Sequence, residues 1–308
     1  MPGKTRFFDL VGSRLPLQLA SLGGPIGTPE LAAAVSAAGG LGMIPNPSLA
    51  EEVEQLVSRA RELTTEAIGV GFLIPFVARE AVAEAGVRAD VVEFFYGAPD
   101  DQLVQLAGRA GAVVGWQVGS AAEAGQAAHA GCAYVVAQGT EAGGHVRGQQ
   151  PLDQVLAETL SAVDVPVIAS GGIGSAARVA ELLNAGAAAV RCGTRFVIAE
   201  EADAHPTYVQ RLIAAGAEDT VLTQAFGAGW PDAPHRVLRS SLEAAEAFTG
   251  DVVAIVAGRN LPRFAPVPPT GAAHGDISAM PMYAGTSVKD IQETMPAAAI
   301  VAELTADL

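Results

Sequence analysis

The chain is 308 residues long; half of its residues are hydrophobic, 17% are charged and 5% are aromatic. This composition predicts one large folded domain and excludes a disordered protein, because the aliphatic residues can bury a sizeable core. The 18 basic against 33 acidic residues give a formal charge of −15, which disfavours nucleic acid and anionic membranes as partners.

Targeting and metal signals are lacking in the sequence. The start MPGKTRFFDLVGSRLP has no hydrophobic signal core, and no apolar run reaches the roughly 20 residues that span a bilayer. We therefore expect a cytoplasmic protein without membrane attachment. The 2 cysteines and 5 scattered histidines lack the spacing of a disulfide framework or a metal site, so no structural metal is expected.

Short aliphatic runs alternate with alanine-rich helical stretches up to about residue 200, a pattern typical of βα units around a parallel sheet. Several runs are apolar on both faces, as buried parallel strands are. Eight strands are predicted, at 15–20, 41–44, 67–74, 90–95, 112–118, 133–138, 165–170 and 187–192. Eight such units favour a closed (β/α)8 TIM barrel, although a doubly wound open sheet would give similar local patterns.

The helices between these strands carry start and stop signals. Each of the helices predicted at 28–38, 48–63, 120–130 and 175–185 begins with a Ser or Thr able to cap free N–H groups. Glycines follow the ends of helices, where a left-handed residue is commonly needed. These glycines are Gly39, Gly40, Gly86, Gly131 and Gly186.

The alternation fades after residue 200. Helices are predicted near 206–215 and 242–249, and the Pro- and Gly-rich stretch PRFAPVPPTGAAHGD predicts an irregular loop, with 262–275 as a mobile lid at the barrel mouth. The tail 288–306 reads as a helix that breaks or restarts at Pro296. The predicted organisation is a barrel core at 1–226 and a small helical and irregular extension at 227–308 packed on it.

Two glycine-rich motifs in adjacent βα units predict a phosphate site. The segments SGGIGS and CGT place Gly171, Gly172, Gly193 and Thr194 at the C-terminal rim of the barrel, where the last two loops frequently bind phosphate. Glycine lets backbone N–H groups approach an anion closely, and a following helix N-terminus adds positive potential. The alternative is a tight strand-to-helix turn. The glycine spacing does not fit a dinucleotide fingerprint.

A histidine flanked by glycines follows the sixth predicted strand, in VVAQGTEAGGHVRG. A glycine-rich rim loop can present an imidazole to a ligand, and histidine suits acid/base work near neutral pH. His145 is therefore the candidate general base; a surface or structural histidine is the alternative.

Three segments together resemble the nitronate monooxygenase family: SGGIGSAARVAELLNAGAAAVRCGTRF, AQGTEAGGHVRG and TPELAAAVSAAGGLGMI. The resemblance runs from about residue 16 to residue 226 and implies an FMN-dependent barrel oxidoreductase in which His145 removes the α-proton of a nitroalkane. The partners implied are a small nitronate or nitroalkane and O2; a homo-oligomer is compatible with the sequence.

The same resemblance implies a set of FMN contacts in the rim loops. For the amides in this set, an ordinary strand-end polar role is the alternative. The set is Leu19, Ala20, Ser21, Gln117, Gln138, Gly143, Ser170, Gly171, Gly172, Gly193 and Thr194.

The chain also departs from the family pattern. It has LQLASLGG where many members have an Ala-Pro-Met type turn, and Gly71 where many have Asn; both changes fall beside the expected flavin ring and bear on the substrate. Cys192 is expected to be a small buried residue. Met280, Met282 and Tyr283 either line the site or cover core.

Two other functions stay open at this level. Flavin-dependent enoyl-acyl-carrier-protein reductases also carry EAGGH, so an NAD(P)H-dependent enoyl-thioester or quinone reductase is the alternative. A non-catalytic flavin-binding protein would leave His145 without a task.

Overall fold

A central parallel sheet of eight strands organises the computed structural model, which describes residues 7–308. The strands of the described residues are β1 Leu17–Leu19, β2 Gly42–Pro45, β3 Ile68–Leu73, β4 Val91–Phe95, β5 Val113–Val118, β6 Tyr134–Gln138, β7 Gly144–His145, β8 Val167–Ser170, β9 Ala189–Cys192, β10 Thr220–Thr223, β11 His235–Leu238, β12 Val252–Val256, β13 Arg259–Pro262 and β14 Ala273–Gly275.

Helices alternate with these strands and then continue into the C-terminal region. They are α1 Phe7–Val11, α2 Pro29–Ala37, α3 Ala50–Leu63, α4 Arg79–Arg88, α5 Asp101–Gly108, α6 Ala121–His129, α7 Leu152–Ala162, α8 Ala176–Asn184, α9 Thr194–Val197, α10 Pro206–Ile213, α11 Arg239–Ala247 and α12 Ala297–Leu304.

The eight-stranded sheet curls into a barrel. Its order is β1-β9-β8-β6-β5-β4-β3-β2, with all neighbours parallel. Backbone hydrogen bonds then join the two edges, because Leu19 N donates to Leu41 O at 2.9 Å and Leu41 N donates to Leu17 O at 2.8 Å. The TIM barrel is thereby confirmed over an open sheet, and each of the eight predicted strands overlaps an observed one.

Side-chain caps fix where three barrel helices begin. The hydroxyls of Thr28, Ser120 and Ser175 accept hydrogen bonds from backbone N–H groups three residues on, at 2.9, 3.3 and 3.4 Å. The predicted cap at Ser48 is wrong. There the Glu52 carboxylate reaches back and accepts from the Ser48 and Leu49 amides at 2.7 and 3.2 Å, so the acid, not the hydroxyl, caps the helix.

Three of the five glycines predicted to end helices in a left-handed conformation do so, whereas Gly40, directly after Gly39, has no positive φ. Gly39, Gly131 and Gly186 have φ of 108°, 98° and 107°, which side-chain-bearing residues rarely adopt. Gly86 instead lies inside α4, so its predicted role as a helix end is wrong. Its reason is packing, because a Cβ there would stand 2.4 Å from the carbonyl oxygen of Ala107 on the next helix.

Helix α1 closes the N-terminal end of the barrel. Phe7 and Val11 are buried in a small cluster with inward-facing side chains of the strands, and the Phe7 ring meets the edge of Tyr134 at 5.3 Å. A second, larger core packs the outer faces of the strands against the helices. The open end is therefore the C-terminal rim. Residues 1–6 of the predicted core domain lie outside the described residues.

The C-terminal region contains more strand than the sequence predicted. Strands β13, β12 and β14 form one antiparallel sheet, while β10, β11 and β7 form another that joins this region to the loop carrying His145. The predicted irregular loop is thus partly wrong, since its two ends are strands. Helices α10 and α11 overlap their predicted positions, and α12 begins directly after Pro296. Within residues 7–308 no helix is long and apolar enough to cross a membrane.

Candidate active site

A deep cavity opens at the C-terminal rim of the barrel. It encloses about 1200 Å³ when its open mouth is counted, and its lining comes from the ends of the barrel strands, the loops after them and four residues that follow the barrel, Tyr208, Pro268, Tyr283 and Ser287. This position is that of a ligand site in a TIM barrel.

One wall of the cavity is a cradle of backbone amides after β8 and β9. Gly171 and Gly172 have φ of 119° and 67°, and a Cβ on Gly172 would stand 2.9 Å from both Glu141 Cβ and Thr286 Oγ1. The N–H groups of Gly171, Gly172 and Gly193 donate to no other residue within 7–308. Unpaired amides ahead of helix α8 are donors suited to a phosphate group.

The C-terminal tail closes this cradle from above. The Thr194 hydroxyl accepts a hydrogen bond from Gly285 N at 3.0 Å, and Thr286 N donates to the carbonyl of Glu141 at 3.0 Å. The tail segment and the loop after β6 are therefore held together directly beside the predicted phosphate site.

The floor of the cavity is a buried polar network that sequence reasoning missed. Arg191 forms an ion pair with Glu93, and both side chains are only 3% exposed. Arg191 also donates to the amide oxygens of Gln117 and Gln18, and the Tyr134 hydroxyl donates to Glu93 at 2.9 Å. Every charge is thus paired, as burial requires. The signal was present as single charged residues inside the apolar strands VVEFF and AVRC.

His145 lies on the short strand β7, at the rim. Its backbone pairs with His235 on β11, and Gln138 Nε2 donates to its carbonyl at 3.0 Å, so Gln138 holds the loop in place. The Nε2 atom of His145 is buried without a hydrogen-bond partner among residues 7–308. Burial, and secondarily His235, lower the pKa of His145 to about 3. The imidazole is therefore neutral at pH 7.

Aromatic rings surround this imidazole. Trp230 stacks on it with ring centres 3.9 Å apart and planes 22° apart, and Tyr96 and Tyr283 lie at 5.6 and 5.7 Å. His235 is 5.2 Å away. Its Nε2 accepts from Phe226 N at 3.2 Å, and its Nδ1 lies 2.8 Å from the Ala233 carbonyl. His235 is therefore held as a neutral tautomer with the proton on Nδ1.

Ser21 and Asn46 also line the cavity, as does Gly71. The Ser21 hydroxyl oxygen is buried without a partner among the described residues, and a Cβ on Gly71 would stand 2.2 Å from it. Asn46 Oδ1 accepts from Leu73 N at 2.9 Å. Ser21 therefore occupies the space that a side chain at position 71 would need. Unpartnered polar atoms at Ser21 and His145, together with the amide cradle, fit a flavin.

The structure brings nearly all the predicted site residues together at one cavity. Leu19 is the exception: its side chain is fully buried in the core between strands and helices and does not line the cavity. The others do line it: His145, Ala20, Ser21, Gln117, Gln138, Gly143, Ser170, Gly171, Gly172, Gly193 and Thr194.

The remaining residues considered for the site are one cysteine, one tyrosine and two methionines. Burial raises the pKa of the Cys192 thiol to about 12, so Cys192 stays protonated, as expected of a small buried residue. Tyr283 lines the cavity, whereas Met280 and Met282 are buried in core clusters. No group of His, Cys, Asp or Glu side chains suited to a metal occurs in the described part of the chain.

Comparison with known protein families decides the assignment of this barrel. The profile of a family described as nitronate monooxygenase matches residues 4–85 and 74–307. The chain belongs to the nitronate monooxygenase family. Members of this family are flavoenzymes, and the chain, like them, is an oxidoreductase.

Relatives within the family differ in their named activities. The nitronate monooxygenase of Pseudomonas aeruginosa is 32% identical over 268 residues, 71% of this chain and 76% of the relative. The Rhodococcus jostii enzyme named (3aS,4S,5R,7aS)-5-hydroxy-7a-methyl-1-oxo-octahydro-1H-indene-4-carboxyl-CoA dehydrogenase is 31% identical over 270 residues, 85% of this chain and 73% of the relative.

Solved structures similar to this one also differ in their named activities. Nitroalkane oxidase from Streptomyces ansochromogenes superposes with a TM-score of 0.83 at 28% identity, over 99% of this chain and 98% of that one. FabK from Thermotoga maritima gives a TM-score of 0.79 at 28% identity, over 98% and 95%. Membership of the nitronate monooxygenase family therefore fixes the fold and the reaction class more narrowly than the substrate.

Proposed function

We propose that this protein binds FMN and oxidises nitroalkanes or alkyl nitronates with O2, with His145 as the general base. The observation that carries the proposal is that a neutral imidazole with an unpartnered ring nitrogen lines the same cavity as a phosphate-sized cradle of free amides. The similarity to a nitroalkane oxidase and to a nitronate monooxygenase supports this choice of substrate.

We infer that the flavin is FMN and not a dinucleotide flavin. The cradle around Gly172 and Gly193 offers donors for one phosphate, and the glycine spacing lacks the dinucleotide fingerprint. The chemistry that FMN supplies when bound is the two-electron oxidation of the deprotonated substrate, with O2 as final acceptor.

The protein's own part in the reaction is proton removal in a water-poor site. A ring nitrogen of His145 accepts the α-proton of a neutral nitroalkane, and the electron pair stays on the substrate as a nitronate. With a pKa of about 3, charging His145 at pH 7 costs about 5 kcal/mol. The nitronate formed about 4 Å away returns about 4 kcal/mol at an effective dielectric constant of about 20. The two charges therefore stabilise each other as they form.

The test compares nitroalkanes with preformed nitronates in His145→Asn. We expect the variant to keep its fold and flavin, while turnover of nitroalkanes falls by about 10²- to 10⁴-fold, the usual share of acid/base catalysis. Nitronates, which need no base, should lose much less. The matched control is His274→Asn, an exposed histidine on β14. Equal losses on both substrate forms, or no loss on either, would refute the base assignment.

A second candidate function is favoured by the Rhodococcus jostii relative, whose name describes a carboxyl-CoA dehydrogenase. An FMN-dependent oxidoreductase acting on thioesters or quinones with NAD(P)H would reduce its flavin anaerobically with NAD(P)H. An oxidase of nitronates would instead bleach its flavin with nitroalkanes or nitronates alone. A non-catalytic flavin-binding protein would hold FMN and respond to none of these donors.

A further inference from the structure

Trp230 is held against His145 by rings on its other sides. It lies in the turn between β10 and β11 and is 9% exposed. Tyr96 meets its edge at 4.8 Å and 77°, and Phe76 meets it at 5.0 Å and 85°. The near-parallel stack on His145, with ring centres 3.9 Å apart, is therefore fixed from two directions.

The groups facing His145 offer no negative charge to an imidazolium. Burial lowers the pKa of His235 on β11, and the Phe226 N–H that donates to its Nε2 holds that nitrogen unprotonated. Burial raises the pKa of Tyr96 to about 12 and raises that of Tyr283 as well, so both phenols are neutral. Arg147, two residues along the loop, is paired with Glu123 at 2.6 Å. Among the aromatic rings around His145, the indole of Trp230 is the nearest, and its electron-rich face attracts a cation.

We propose that Trp230 is a positioning residue for His145: its indole fixes the plane of the imidazole and stabilises the imidazolium formed when His145 accepts the substrate's proton. This role rests on the proposed function of His145 as a base. It also makes the C-terminal region part of the active site, because Trp230 comes from outside the barrel.

The direction in which the pKa of His145 changes when Trp230 is replaced distinguishes this role from simple shielding of the imidazole from water. If Trp230 only excludes water, a smaller side chain admits water and raises the pKa of His145 towards its usual value. If the indole face stabilises the cation, an apolar replacement without a π-system makes protonation harder. Trp230→Leu and Trp230→Phe form the matched pair, since the second variant keeps an aromatic face. Phe76→Leu is the packing control, because the Phe76 ring contacts Trp230 and, among the described residues, makes no ring contact with His145.

The kinetic experiment measures kcat/KM for a nitroalkane and for its preformed nitronate in each variant. Loss of a partly desolvated cation–π contact predicts a fall of about 5- to 30-fold for the nitroalkane in Trp230→Leu. The nitronate should be unaffected, and Trp230→Phe should recover most of the activity. Equal losses on the two substrates, or no recovery in Trp230→Phe, would overturn the proposal.

A second measurement needs no substrate. Nitrogen NMR of histidine side chains, with the His145 signals assigned by their loss in His145→Asn, follows protonation from about pH 8 to about pH 4.5. We expect His145 to stay neutral in Trp230→Leu, as in the wild type. Protonation within that range would show that Trp230 only shields the ring and would overturn the proposal. A wild-type enzyme inactive on nitroalkanes would refute the proposed function, and this titration would still test Trp230.

Discussion

Replacing Gly143 by Ala should loosen the tail that closes the site. A Cβ on Gly143 would stand 2.5 Å from Gly285 N and 2.8 Å from the carbonyl carbon of Ala284, with Thr194 Oγ1 at 3.0 Å. The first two are backbone atoms and cannot rotate away, so the tail must shift as a unit. That shift would break the hydrogen bond from Gly285 N to Thr194.

The size of the effect follows from these two contributions. Overpacking in a close-packed region costs about 1–3 kcal/mol, and losing the hydrogen bond adds about 1 kcal/mol. Gly143→Ala should therefore lower the free energy of unfolding by about 2–4 kcal/mol. Because the tail also borders the phosphate cradle, FMN should dissociate faster.

The assay is urea unfolding of the flavin-loaded protein followed by circular dichroism, together with flavin release followed by fluorescence. Gly125→Ala is the control, since a Cβ on this helical glycine of α6 meets nothing within 4 Å, and it should stabilise the protein by about 0.5–1 kcal/mol. If Gly143→Ala unfolds within about 0.5 kcal/mol of the wild type and binds FMN as tightly, the described packing of the tail on the His145 loop is incorrect.

Three further predictions concern the cradle, pH and the suggested lid. Gly172→Asp and Gly193→Asp should each weaken FMN binding by more than about tenfold, because a carboxylate would face the phosphate; stoichiometric FMN in both purified variants would contradict the cradle. With the folded pKa of His145 lowered to about 3, kcat/KM for nitroalkanes should show no acid limb near pH 6.5. Between pH 6.5 and pH 3 this histidine is protonated in the unfolded chain but neutral in the folded protein. The free energy of unfolding should therefore fall by about 1.4 kcal/mol for each pH unit from pH 6.5 towards pH 3, and His145→Asn should remove this loss. Limited proteolysis should cut first within 262–275, which contains the cavity-lining Pro268, and FMN should slow the cut; first cleavage elsewhere with no ligand effect would remove the lid.

The sequence was most informative where a residue type has one dominant physical reason. Gly171 and Gly172 adopt positive φ at the end of a strand, and no other residue type does this readily. Serine and threonine caps before helical runs located the βα units. Such local signals depend on neighbours a few residues away in the sequence, so they can be interpreted without knowledge of the fold.

Residues defined by distant partners could not be predicted in the same way. Trp230 matters because it stacks on His145, 85 positions earlier in the chain by their numbers. Strands β13, which ends at Pro262, and β14 were not predicted because proline and glycine are typical of loops. Both strands flank β12 at the edges of a small sheet, where proline is tolerated. Leu19 was predicted to contact the cofactor only because of the family resemblance, and its side chain lies in the core.

The ladder between β7 and β11 has a consequence for how this enzyme could diversify. The amide donors of the cradle come from barrel loops and the tail at Gly285 and Thr286 closes over them, while the surroundings of the imidazole come largely from the segment after the barrel. Exchanging only the turn that carries Trp230 would leave the amide donors of the cradle in place and alter which carbon acid meets the base. Similarity in the cradle therefore groups enzymes by cofactor, while the turn that carries Trp230, the tail that carries Tyr283 and the barrel residues Ser21 and Gly71 would distinguish them by substrate.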